Sequence, residues 1–349
     1  MTRELRNTCF SAARQVGLTR VFGRSRWRRN RLLILCYHGL SLNDEHEWDP
    51  HLFVSAERFE RRLELLRQAE CTVLPLAEAL ERLDREDLPE RAVCLTFDDG
   101  YYNFLVQAQP RLRKYRFPAT VYQNTLRCEH NLPLTRIGLS YVLWKSGRTE
   151  LEGKGVPGLE DRLYTFATSA ERTRVANTIH DSLIARDAGP PEQDAVLRDV
   201  SARVGVSYDA LASERQLTLL RPEEVTSLAA EGVDFQLHTH RHTNPVDPAK
   251  FLHEIRENSW RIEAMTGRRP AHFCYPSGIY RQLYFPILES EGVVSATTTE
   301  PGIVSATKPR LLLPRFVDMN VVSDVEFESW LSGLAPWLRV ALNRPAGAG

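Results

Sequence analysis

Short apolar runs alternate with amphipathic segments along most of this chain. Residues 31–37 (RLLILCY) are apolar at nearly every position, the pattern of a strand buried on both faces. After Ser55, a candidate N-cap, Phe59, Leu63 and Leu66 recur at helical spacing. The rhythm then predicts a short strand at 72–75, a helix at 77–84, a strand at 91–97, a helix near 104–115 and a strand at 118–122. Farther on, Pro222 opens a helix followed by Gly232, and Val233, Phe235 and Leu237 alternate as a strand. Asp247-Pro248 starts a helix with Phe251, Ile255, Ile262 and Met265 on its inward face, closed by Gly267. Strands near 271–275, 294–298 and 311–316 complete the series.

Such strand–helix alternation predicts an α/β fold with a parallel sheet, open or closed into a barrel. Residues 125–220 break the rhythm. They carry helical patterns over 137–145, 159–167 and 170–184 and read as one insertion between two strands. Ahead of the first strand, residues 1–31 hold nine Arg and one Glu, interleaved with Phe10, Val16, Leu18, Val21, Phe22 and Trp27. That segment reads as a basic N-terminal arm, loosely docked or lying on an anionic membrane surface. The end of the chain, 336–349, reads as a tail.

Composition narrows the function classes. With 42% hydrophobic and 26% charged residues in 349, the chain can bury a real core. Lys+Arg equals Asp+Glu at 45 each, which disfavours a nucleic-acid coat. Six cysteines without a C-x-x-C pair predict free, mostly buried thiols in a reducing compartment. No apolar stretch reaches the ~18 residues of a membrane span, and Arg3, Glu4, Arg6 and Arg14 interrupt any signal-peptide core. The expected location is therefore cytoplasmic, with a peripheral contact at the inner membrane face through residues 1–30.

Three motifs carry chemistry. Thr96-Phe97-Asp98-Asp99-Gly100 places two adjacent carboxylates at a strand's carboxyl end, where parallel-sheet enzymes keep active groups; both ionise cheaply only beside a cation. His238-Thr239-His240-Arg241-His242 follows another strand. His238 and His242 share a face if the chain turns helical there, and His238 and His240 if it stays extended. An Asp with two imidazoles is the three-ligand open set of a hydrolytic metal centre. Phe273-Cys274-Tyr275-Pro276-Ser277-Gly278 ends a third strand in a turn whose backbone N–H groups can face the same cleft.

With these motifs in this order, the chain resembles the polysaccharide deacetylase family (carbohydrate esterase family four, the NodB-homology domain). The resemblance rests on TFDDG at 96–100, H-T-x-x-H at 238–242 and F-x-Y-P-x-G at 273–278. Leu35-Cys36-Tyr37-His38-Gly39 and Phe117-Pro118-Ala119-Thr120 add to it. The Tyr-His pair and the Y-P-x-G turn are similar to the poly-N-acetylglucosamine deacetylase-like subgroup. The resemblance implies a distorted (β/α) barrel over 31–335, with the helical insertion at about 125–220. It also implies removal of N-acetyl groups from an N-acetylated sugar or oligosaccharide through a divalent metal, most often zinc.

Carried over by position, Asp98 is the base that takes a water's proton, and Asp99, His238 and His242 are the metal ligands. The backbone N–H of Ser277 is then the oxyanion donor. The common family pattern has an Arg in the third motif where this chain has Cys274, and Arg315 in Leu313-Pro314-Arg315-Phe316 is the candidate replacement. No leucine–histidine motif stands near the C-terminus, so the candidates to protonate the leaving amine are His240 and His38. Two other readings keep the fold: an amidohydrolase of a non-sugar amide or imide, and an inactive carbohydrate-binding homologue. Trp144 and Trp260 are expected in the core, and Trp330 and Trp337 are candidates to line a groove.

Overall fold

The computed structural model describes residues 3–342, with side chains over 7–339. Seven strands pair in chain order: β1 (Arg31–Tyr37), β2 (Ala92–Phe97), β3 (Thr120–Gln123), β4 (Asp234–Leu237), β5 (His272–Cys274), β6 (Ser295–Pro301) and β7 (Leu313–Val317). Every neighbouring pair is parallel, and β7 returns to β1 through Leu35 opposite Phe316. The sheet is thus a closed seven-stranded barrel, which leaves few free edges. Two short strands extend it outside the ring, Thr72–Val73 along β2 and Val304–Ser305 antiparallel to β1.

The near-continuous apolar runs of β1 and β2 are explained by closure, because both faces are covered. Leu33, Leu35 and Tyr37 pack outward with Val93, Leu95 and Phe97 against Phe59, Leu63 and Leu66. The alternate positions Leu32, Ile34, Cys94, Tyr122, Cys274 and Leu313 cluster with Leu76, Ala79, Leu80 and Leu83 of the helix Leu76–Asp84. The helix Ala56–Gln68 begins at Ser55, whose Oγ accepts from Arg58 N as an N-cap. Asp247 caps Pro248–Thr266 in the same way, and Gly267 ends that helix at φ 67°.

The insertion has a core of its own, built on the helices Thr135–Lys145, Ser169–Ala185 and Pro190–Val204. One expectation is corrected here. Residues 159–167 are not helical: Leu163–Thr165 pairs antiparallel with Glu150–Glu152, with Leu151 buried opposite Tyr164. The insertion rests on the loop after β1. Asn43 donates to Glu214, Tyr141 to Asp44 and Gln216 to the buried Glu45.

The N-terminal segment forms helices at Arg3–Gln15 and Leu18–Gly23. Phe10 is buried, Ser323 donates to Asn7, and Arg14 pairs with Glu328. Arg28 is buried too, donating to Leu331 O and to Ala92 O at the start of β2, the barrel end opposite the strand termini that carry the motifs. The helix Leu334–Leu342 takes in the first part of the expected tail at 336–349, and 343–349 lie outside the described residues. Trp330 is core rather than groove lining, whereas Trp260 is exposed rather than core. Among the described residues no helix is long and apolar enough to cross a membrane.

Candidate active site

The carboxyl ends of β1, β2, β4, β5 and β7 bring the singled-out residues together. Asp98 follows β2 directly, its N–H held by Tyr37 O at 2.8 Å. Asp99 takes a left-handed φ of 69°, which swings its side chain away from that of Asp98. Gly100 continues the turn at φ 79°, where a Cβ would come within 2.0 Å of Gln123 Oε1, so only glycine fits. Two adjacent carboxylates are thereby sent to two different partners.

Asp99 faces the imidazoles. Its Oδ1 lies 3.3 Å from His238 Nε2 and 3.2 Å from His242 Nε2. His238 donates through Nδ1 to Cys274 O at 2.9 Å, the orienting contact that leaves the Nε2 lone pair directed at the carboxylate. The spacing of four brings both rings together because Thr239 and His242 both sit at positive φ, turning the loop back on itself. One carboxylate and two imidazoles converging within 4.8 Å suit a divalent metal with open positions, zinc among them. Two other groupings, Cys36–His38–Asp98 and Asp98–His238–Cys274, share Asp98. A cation there would meet the guanidinium already bound to that carboxylate.

That guanidinium belongs to Arg315, fully buried inside the barrel. Its Nη1 and Nη2 donate to the two oxygens of Asp98 at 2.7 Å each, its Nε to Thr298 O, and its Nη2 also to Cys274 Sγ. Burial alone would raise the Asp98 carboxyl, but the charge and hydrogen bonds of Arg315 win and hold it well below the usual carboxylate range. Asp99 is likewise desolvated, and its two imidazole neighbours hold it low as well. Cys36 and Cys274 flank Asp98 Oδ2 at 3.5 and 3.4 Å. Burial pushes the Cys36 thiol well up, so it stays protonated and can donate.

The remaining candidates separate. His38 Nε2 stands 3.8 Å from Asp98 Oδ2 with its side chain partly exposed to the cleft. His240 is buried, and its Nδ1 bonds to Thr125 Oγ1 at 2.9 Å. Burial and the Arg241 charge push His240 down to about 4. Ser277 lies exposed in the turn Pro276–Gly278 at φ 55°, and Asn244 Nδ2 ties that turn to the histidine loop through Pro276 O. The sequence reading missed Asn258, which accepts from His238 N and donates to Gln123 O and Thr125 Oγ1. Its signal was a polar residue on the inward face of an otherwise amphipathic helix.

A family model for polysaccharide deacetylases matches residues 85–158 and 169–295, more than half of the chain. The chain belongs to the polysaccharide deacetylase family. The break in that match, 159–168, takes in the second strand of the insertion's hairpin. YxkH, a polysaccharide deacetylase homologue of Bacillus subtilis (strain 168), is 32% identical over 106 residues, 30% of this chain. That match spans 36% of YxkH, about a third of its length. Among solved structures, the Streptococcus pyogenes deacetylase PplD in complex with acetate aligns at TM-score 0.55 and 18% identity, covering 85% of this chain and 96% of that one. IcaB from Ammonifex degensii aligns at TM-score 0.52 and 17% identity, covering 86% and 97%. These two likenesses are of fold, and they agree with the barrel reached here from strand pairing.

Proposed function

We propose that this chain is a metal-dependent hydrolase that removes N-acetyl groups from an N-acetylated sugar in polysaccharide or glycolipid synthesis. The observation that carries the reading is the division of labour between neighbouring carboxylates. Asp99 is turned to two imidazoles, and Asp98 is kept ionised by Arg315 next to them. A divalent metal held by Asp99, His238 and His242 supplies Lewis-acid polarisation of the acetamide carbonyl and of a water. Asp98 takes the proton of the attacking water, and Arg315 keeps its carboxylate charged and aimed. The backbone N–H of Ser277 donates to the oxygen that becomes negative as the carbonyl carbon turns tetrahedral. His38, whose Nε2 stands 3.8 Å from Asp98 Oδ2, gives a proton to the amine as the C–N bond breaks. Acetate and a free amino sugar are the products. His240, bonded to Thr125, is assigned to holding the loop rather than to proton transfer.

Residues 1–30 support a second element of this reading, a peripheral contact with an anionic membrane surface on the cytoplasmic side. Val16 and Val21 are 72% and 67% exposed, and Leu18 is exposed between them. Arg20, Arg24 and Arg26 are exposed alongside, without an ion pair among the described residues. Apolar side chains ringed by arginines match the chemistry of an acidic lipid surface.

The test of the catalytic reading is acetate release from N-acetylglucosamine oligomers by the zinc-reconstituted protein, beside Asp98→Asn. Release that the substitution abolishes supports the assignment. Failure to release acetate, with turnover of a cyclic imide instead, would move the substrate class to a non-sugar amide.

A further inference from the structure

The loop that carries His238 and His242 does not hold its own shape. Thr239 lies at φ 59° and His242 at φ 55°, a left-handed conformation that is unfavourable for a β-branched residue such as threonine. Such backbone persists only where the surroundings over-determine it. Within the loop, Thr243 N donates to Thr239 Oγ1 at 3.1 Å. The other restraints come from outside, and two of them come from one helix.

On Pro248–Thr266, Glu254 and Asn258 stand one turn apart on the face turned toward the barrel, and both are buried. Glu254 Oε2 accepts from Arg241 N at 2.7 Å, and its Oε1 accepts from Arg241 Nη1 at 2.7 Å. Asn258 Oδ1 accepts from His238 N at 2.9 Å. The Nδ2 of the same amide donates to Gln123 O at 2.9 Å and Thr125 Oγ1 at 3.1 Å. Thr125 in turn holds the ring of His240. Gln123 and its neighbour Asn124 reach the third ligand, since both side-chain amides donate to Asp99 O, at 3.3 and 3.2 Å. One asparagine therefore references the His238 end of the site directly and the Asp99 end through β3.

We infer that Asn258, assisted by Glu254, is a positioning residue that sets the metal-binding geometry of Asp99, His238 and His242 without touching the metal. The inference rests on the metal-centre reading. Its chemistry follows from the inventory of a primary amide, which offers an acceptor and two donors in one rigid plane. Aspartate at the same position keeps the acceptor for His238 N and loses both donations. Restraints of this kind around metal ligands are each worth about 10–100-fold in affinity.

Zinc affinity, measured by competition with a chromophoric chelator, tests this without any substrate. Asn258→Ala, Asn258→Asp and Glu254→Ala are compared with the wild type, each checked for folding by circular dichroism and by urea unfolding of the zinc-free protein. The expected result is about 10–100-fold weaker zinc binding in Asn258→Asp and Asn258→Ala, and a smaller loss in Glu254→Ala. A merely structural role would lower the zinc-free unfolding midpoint and leave zinc affinity alone. Zinc affinity within twofold of the wild type in the folded variants would overturn the positioning role while keeping the metal centre. A wild-type protein that binds no zinc would overturn the metal centre itself, and the positioning role with it. Three variants of different severity keep the outcome readable if one of them does not fold.

Discussion

Arg315 and Asp98 stand 217 positions apart in the chain and meet in a two-pronged ion pair inside the barrel, both distances 2.7 Å. Neither carries a meaningful partner in sequence: Arg315 closes the circle from β7, and Asp98 follows β2. Because both are buried, removing one partner leaves the other's charge uncompensated, a loss of about 3–5 kcal/mol. Arg315→Met is therefore expected to lower stability by that order and acetate release by at least 100-fold. The pH dependence should also change sign. In the wild type the folded Asp98 pKa lies below the ~3.9 of an unfolded carboxyl, so the pair's stabilisation is complete above that value and lost as pH falls through the folded one. In Arg315→Met, burial is opposed only by the His38 and His238 charges and raises the folded pKa. Stability from this group is then present at low pH and lost as pH rises. Urea unfolding in chelator from pH 4.5 to 7.5 should show the gap between the two proteins widening with pH. A constant gap would refute the assignment.

The metal assignment predicts a simple count. Elemental mass spectrometry of the wild type should return about one divalent metal per chain, and His238→Ala, His242→Ala and Asp99→Asn should each lose it. Arg315→Met should retain it, because the guanidinium binds Asp98, whereas Asp99 is the carboxylate closest to His238 and His242. Metal retained in all three ligand variants would sink the Asp99–His238–His242 assignment.

The parallel α/β sheet was legible in the alternation of apolar runs with helical spacing, its closure into a barrel only through the family resemblance, and the clustering residues Asp99, His238 and His242 in two short motifs. Both signals are local. What stayed hidden depended on closure. Arg315 was a candidate only through the family resemblance, as the replacement for a missing arginine; the pairing of β7 with β1 that delivers it to Asp98 is not marked by the residues around it. The second strand of the insertion's hairpin, Leu163–Thr165, was read as part of a helix over 159–167 because a three-residue strand is too short to show its period of two. His38 and His240 looked equivalent as proton donors, each a histidine at a strand end. They separate only through partners, Asp98 for one and Thr125 for the other.

That separation yields a kinetic prediction. With His38 as donor to the leaving amine, His38→Gln should cut turnover by about 10²–10⁴-fold while metal content and fold stay intact. Substrates with a better leaving amine should suffer less, since they need the proton less. His240→Gln should instead act through loop geometry, with loss of zinc affinity alongside any loss of turnover. Equal losses for good and poor leaving groups in His38→Gln would remove His38 from the proton-transfer role.

The N-terminal segment calls for point substitutions rather than truncation. Deleting residues 1–30 would remove the buried Phe10 and the buried Arg28 that bonds to the start of β2, so loss of binding and loss of fold would be confounded. Val16, Val21, Arg20 and Arg24 face outward and can be changed without touching that packing. The wild type is expected to sediment with vesicles containing a third phosphatidylglycerol and to stay in solution with pure phosphatidylcholine. Half-molar salt should release it, because screening acts on exposed charges. Arg20→Gln and Arg24→Gln should each weaken binding roughly fivefold, and Val21→Asp should weaken it independently of salt. Because Arg28 anchors the segment at the barrel end opposite His238 and His242, a membrane bound there leaves the cleft facing away from the lipid. Equal sedimentation of all variants would place any membrane contact elsewhere on the molecule.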